Sequence, residues 1–132
     1  MTNYNTVRTA LGAAIQAYQQ DLNVYYYVPQ SLIAPAAIVQ PLPQRTIDYL
    51  QAQSSGFAKW HFNVLLVVGQ VDEQAAQEMV GDLVSPGSDL IKALNDTKLD
   101  NGYAQVVQGG VSEMTFSKGL YTYARLSVDV CT

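Results

Sequence analysis

Between Tyr4 and Gln20 apolar residues recur every three or four positions: Val7, Leu11, Ala14, Ile15 and Tyr18 form one stripe, with Arg8, Gln16, Gln19 and Gln20 largely on the other side. That period predicts an amphipathic helix. The pattern then shortens to two. Val24–Val28 is a β-type run stopped by Pro29, and Ala36–Gln40 is a second run opened by Pro35 and closed by Pro41 and Pro43. Proline supplies no ladder donor and so belongs at strand ends. Thr46–Leu50 is compatible with a short strand, and Gln51–Gly56 is polar and loop-like. The clearest strand is Phe57–Gly69, where Ala58, Trp60, Phe62, Val64, Leu66 and Val68 share one face while Lys59, His61 and Asn63 begin the other. Both faces are apolar from Val64 to Val68, which predicts a central strand covered on each side.

The helical period returns after Asp72, a good N-cap, with Glu73 in the first turn where the helix dipole favours an anion. This second helix runs to about Val84 on a stripe of Ala76, Met79, Val80 and Leu83. Ser85-Pro86-Gly87 ends it, and Ser88 caps a shorter helix, Asp89–Asn95, anchored by Leu90, Ile91 and Leu94. A turn at Leu99–Gly102 leads into β structure. Tyr103–Val107 and Val111–Phe116 make one or two strands, with Gly109-Gly110 as a bulge or bend. After a turn at Ser117–Gly119, Leu120, Thr122, Ala124, Leu126, Val128 and Val130 alternate with Tyr121, Tyr123, Arg125, Ser127 and Asp129 in a half-buried last strand. The order of elements predicts a single α+β domain over residues 1–132. Its one mixed, mostly antiparallel sheet carries an N-terminal helix and two central helices.

Charge sharpens this picture. Only 14% of the 132 residues are charged, against about 25% in ordinary domains, so much of the surface is expected to be covered by partner subunits. Eleven acids against seven bases give a net charge of −4, which argues against a module that grips DNA or RNA. The first residues carry no apolar stretch behind a basic start, and no run approaches the ~20 apolar residues of a membrane span. The chain reads as made in the cytosol and off the membrane.

Catalytic chemistry finds little support. One cysteine, Cys131, excludes a disulfide framework, and one histidine, His61, excludes paired-histidine metal centres. Ser112 lacks the second glycine of a nucleophile elbow, and a histidine-assisted nucleophile would need His61 from mid-strand. Glu78 and Asp82 share a helix face, as solvated acids commonly do, and Asp96, Asp100 and Asn101 lack calcium-loop spacing. No glycine-rich phosphate loop occurs. The expectation is a protein that is not an enzyme and carries no cofactor or metal.

Nine tyrosines are the unusual feature. Tyrosine offers contact area at low entropy cost and a hydroxyl that tolerates water, which suits protein interfaces as well as cross-strand pairing. Tyr25, Tyr26 and Tyr27 occupy both faces of one strand, and Tyr121, Tyr123 and Arg125 lie on the polar face of the last, with Lys59 and His61 on the corresponding face of the long strand. Tyr121, Tyr123, Arg125, Lys59, His61, Tyr25 and Tyr27 are therefore the candidate interface residues.

The ordered series of segments also resembles a known family. It comprises Thr6–Leu11, Val24–Pro29, Pro35–Val39, Trp60–Val64, Val71–Gln77, Ser85–Leu94 and Tyr121–Arg125. Together these are similar to the tail terminator (tail completion) proteins of long-tailed siphophages, especially those infecting actinobacteria. The resemblance covers nearly the whole chain, and its specificity lies in the order of segments. It implies a structural virion protein of the tail neck: an α+β domain forming a homo-hexameric ring on the head-proximal end of the tail tube. The ring stops polymerisation of the major tail tube protein and offers a surface to the head–tail connector or stopper. Genomic double-stranded DNA passes through the lumen without specific binding. Six copies would carry six times the −4 of one chain, and an acidic lumen would let DNA slide. Another neck component (a head–tail joining or stopper protein) and a small non-viral binding domain remain the alternatives. The latter predicts an apolar pocket with convergent polar groups.

Overall fold

The computed structural model describes residues 3–18, 22–27, 33, 35–49, 58–70, 74–99, 102–116 and 119–132. The elements run α1 (Tyr4–Tyr18), β1 (Asn23–Tyr25), β2 (Ala36–Pro41), β3 (Ile47–Tyr49), β4 (Ala58–Gln70), α2 (Gln74–Val84), α3 (Asp89–Asn95), β5 (Tyr103–Phe116) and β6 (Gly119–Cys131). The strands form one sheet in the order β1-β2-β4-β6-β5, with β3 also paired to β4. Only the β1–β2 pair is parallel. The fold is α+β, with three helices packed on a mixed sheet of six strands.

The even-numbered side chains of β4 and β6 build the core. Trp60, Phe62, Val64 and Leu66 pack beside Ala124, Leu126, Val128 and Val130 under Val7, Leu11 and Ile15 of α1, Val80 and Leu83 of α2, and Leu90 and Leu94 of α3. Burial of each large apolar side chain contributes roughly 1.5–3 kcal/mol. Ser88 caps α3 as its sequence predicts: its hydroxyl accepts the Ile91 N–H at 3.2 Å. The expected caps and turns at Asp72, Asp100-Asn101 and Ser117-Lys118, and the loop 51–56, lie outside the described residues.

β2 and β3 lie end to end along one side of β4, pairing with Phe62–Val67 and Ala58–Trp60 respectively. Between them the chain leaves the ladder through a turn with Gln44 at φ 68°. His61 bridges the gap: its carbonyl accepts from Leu42 N–H at 2.9 Å and its own N–H donates to Thr46 at 2.8 Å.

Three expectations change. The first strand stops at Tyr25, because Tyr26 turns onto α1 and packs against Gly12, where an added Cβ would overlap its ring. Arg8 does not lie free on the far side of α1. Its guanidinium carbon sits 5.3 Å from the centroids of both the Tyr4 and Tyr26 rings, its Nη2 donates to Asn5 at 3.1 Å, and its buried Nε has no hydrogen-bond partner among the described residues. Finally, β5 is one strand whose irregularity falls at Val107, not at Gly109-Gly110, which stay in register with Leu126 and Arg125. The break follows Val106, whose N–H donates to the Asn95 side chain at the end of α3 (2.9 Å). Among the described residues no helix is long and apolar enough to cross a membrane.

Candidate functional site

Strand alternation sends Tyr25, Lys59, His61, Tyr121, Tyr123 and Arg125 to the sheet face opposite the three helices. One registered row crosses five strands there: Tyr25, Ile38, Leu65, Arg125 and Gly110 are successive partners on β1, β2, β4, β6 and β5. Ile38 and Val67 are fully buried on this face, and half-buried Asn63 and Ser127, joined by a 3.4 Å hydrogen bond, separate its two ends. Tyr27 lies beyond β1 and is 73% exposed.

The first end is ionic. His61, 8% exposed, places Nδ1 2.7 Å from Oδ1 of Asp129, its cross-strand partner, and Nε2 2.8 Å from Oδ2 of Asp48 on β3. Each ring nitrogen thus has a carboxylate oxygen within hydrogen-bond distance. Arg45 grips Asp48 through Nη2 at 2.9 Å and Nε at 3.3 Å, and Lys59 Nζ lies 3.4 Å from Asp129. Arg45, and after it His61, donates to Asp48 and holds its carboxyl down at about 2. With both ring nitrogens occupied by carboxylates, and Lys59 beside Asp129, His61 and Lys59 are committed to contacts within the chain. Ser112 pairs with Tyr123 beside Val67, six residues along β4 from His61 and roughly 20 Å away at 3.3 Å per residue. Near the ionic end, hydrogen bonding with Cys131 pushes the Tyr103 hydroxyl above the usual phenol range.

The second end is open. Tyr123, Arg125, Gly110, Val111 and Ser112 line a shallow hollow of about 270 Å³. Arg125 is exposed and has no ion partner among the described residues. Tyr121 lies one alternation further along β6 and is half-buried.

A separate groove of about 500 Å³ lies between α1 and α3, floored by Ala10, Ala13, Ala14, Ala17 and Ala93 and rimmed by Asp89, Asp96 and Lys98. Glu78 and Asp82 are exposed on α2, where Glu78 accepts from Gln74 at 3.0 Å. Among the described residues no group of His, Cys, Asp and Glu is arranged to hold a metal.

Asp48 and Asp129, which hold the His61 ring, and Arg45, which holds Asp48, are not singled out by sequence, and Gly110 and Ser112 are read there only as part of a bend and as an unsupported nucleophile. Alternation places Asp129 on the polar face, but only the β4–β6 register puts it opposite His61. Neither the family models nor the curated proteins compared with the chain give a match.

Proposed function

We propose that this chain is a structural assembly protein, a tail terminator that forms a hexameric ring on the head-proximal end of a phage tail tube. In that role it ends tube polymerisation and presents the surface to which the head connector attaches. The observation that carries the reading is the sheet face beyond the helices, whose open end offers Tyr123 and Arg125 without a side-chain partner among the described residues, in a chain that is only 14% charged. Exposed aromatic and arginine side chains are what central interface positions favour. A ring contact is heterologous and buries two different surfaces of every subunit, which accounts for a charge-poor exterior. The segment order that resembles the terminator family supplies the biological setting.

The test is native mass across a wide concentration range, with electron-microscopy images of the largest species. A closed ring at six times 14.4 kDa with a central hole supports the reading. A chain that stays monomeric both alone and with purified tail tubes, and does not bind the tube end, overturns it. A second reading, a small binding domain, draws on the alanine-floored groove between α1 and α3; a small-molecule ligand bound there by a stable monomer would favour it.

A further inference from the structure

β5 is the outer strand of the sheet, and its two halves differ. At its start the edge is closed where Val106 N–H donates to Asn95. From Val107 to Glu113 every residue is exposed. An antiparallel edge strand turns alternate N–H and C=O groups outward, and natural proteins blunt such edges with lysine, proline or charge. Tyr103–Phe116 contains neither lysine nor proline, and Glu113 is its one charged residue. The bare edge is therefore a template for one more strand.

The hollow beside it selects the strand. Arg125 on β6 is the registered partner of Gly110, and open space lies where a Gly110 side chain would be. Strands are spaced about 4.8 Å apart, so a strand laid along β5 runs roughly 10 Å from β6 at Arg125. An Asp or Glu opposite Gly110 would meet the guanidinium across the bare glycine. Tyr123 and Ser112 add hydroxyl donors, none of the five lining residues is acidic, and none of these donors has a side-chain partner among the described residues. We infer that the open half of β5 binds an extended segment of a partner by strand addition, with an acidic side chain of that segment seated on Arg125 over Gly110.

Antiparallel pairing with β5 of a second copy does not meet this requirement. Glu113 pairs with Thr122, which takes a hydrogen bond from Gln77 of α2 and so faces the helices. Gly110 faces the other way. Residues opposite one another across a ladder share a face, so Glu113 of a second copy cannot stand opposite Gly110. The inference goes beyond the ring reading and does not depend on it.

The test uses the full chain and an acetylated, amidated nonapeptide of alternating threonine and valine with a central glutamate. Its valines share the face of Val111, and the glutamate falls opposite Gly110. Backbone amide NMR shifts are followed on titration and compared with a counterpart bearing lysine in place of glutamate. Shifts confined to β5 residues 107–115 and their β6 partners, with the glutamate peptide bound about fivefold more tightly, are expected. Arg125→Gln abolishes the preference, and Gly110→Val, whose Cβ enters open space, reduces it. Equal binding of the two peptides, no binding at millimolar concentration, or shifts elsewhere overturns the inference. So does a concentration-dependent shift of the same amides without peptide, which would assign the edge to a second copy.

Discussion

His61 and Asp129 stand directly opposite one another on β4 and β6, and the 2.7 Å contact between Nδ1 and Oδ1 joins two strands 68 residues apart in sequence. Asp48 engages the other ring nitrogen, so one buried ring ties β3, β4 and β6 together at the point where the β2–β3 edge is interrupted. Removing one carboxylate leaves a buried polar nitrogen unsatisfied. Asp129→Ala is expected to cost roughly 1.5–3 kcal/mol in urea unfolding. A loss below 0.5 kcal/mol would show, at the level of an ordinary surface change, that the contact contributes little to stability.

Asp48 supplies a pH dependence of definite sign. Its carboxyl is held down at about 2 by hydrogen bonds first from Arg45 and then from His61, against an ordinary 3.8. The stabilisation is complete above the unfolded value of 3.8, fades as pH falls below it, and is gone once pH has dropped through about 2. Urea midpoints for the parent chain should therefore fall more steeply from pH 5 to pH 2 than those for Asp48→Asn. Parallel curves would mean that this carboxylate is not preferentially stabilised by folding.

Gly12 sits mid-helix, where alanine would normally be favoured by about 1 kcal/mol. Here a Cβ would overlap the Tyr26 ring, so Gly12→Ala is expected to destabilise by roughly 1–3 kcal/mol. With Tyr26→Ala already present the same change should cost little or become favourable. Additive effects in that double-mutant cycle would remove the contact as the cause.

Two other glycines predict opposite signs. Gly81 lies in α2 with nothing near its missing side chain, and Gly81→Ala should stabilise by about 0.5–1 kcal/mol. Gly87 adopts φ +79° after α2, and Gly87→Ala should destabilise by about 1 kcal/mol. Thermal midpoints of the two variants, moving in opposite directions, check both at once.

For assembly, Tyr123→Ala combined with Arg125→Ala is expected to leave the far-UV spectrum and unfolding midpoint near those of the parent chain, because both side chains lie outside the helix-side core. Assembly on tail tubes should fall. A variant that fails to fold would make this face structural.

The elements were legible because each follows from local chemistry. A period near 3.6 marks α1 and α3, strict alternation marks β4 and β6, Ser88 caps α3, and prolines bracket β2. These choices depend on neighbours a few residues away, so periodicity alone determined the fold class and the helix-side core. Alternation also assigned Lys59, His61, Tyr123 and Arg125 to one face. Register was not legible, because pairing is decided by where long strands come together. Only the tertiary structure put Asp129 and Asp48 on His61, which satisfied the histidine internally and left Arg125 at the other end without a counterion among the described residues. The same holds for Arg8, polar by pattern yet held between Tyr4 and Tyr26 because Tyr26, just past β1, packs on α1 at Gly12. The glycines of β5 look like a break in isolation, but a continuous β6 keeps them in register and the irregularity moves to Val107, next to the amide that Asn95 holds. Sequence by itself determined which residues share an element and a face; the tertiary structure decided which charges neutralise one another and which are left open, because those pairings join residues far apart along the chain.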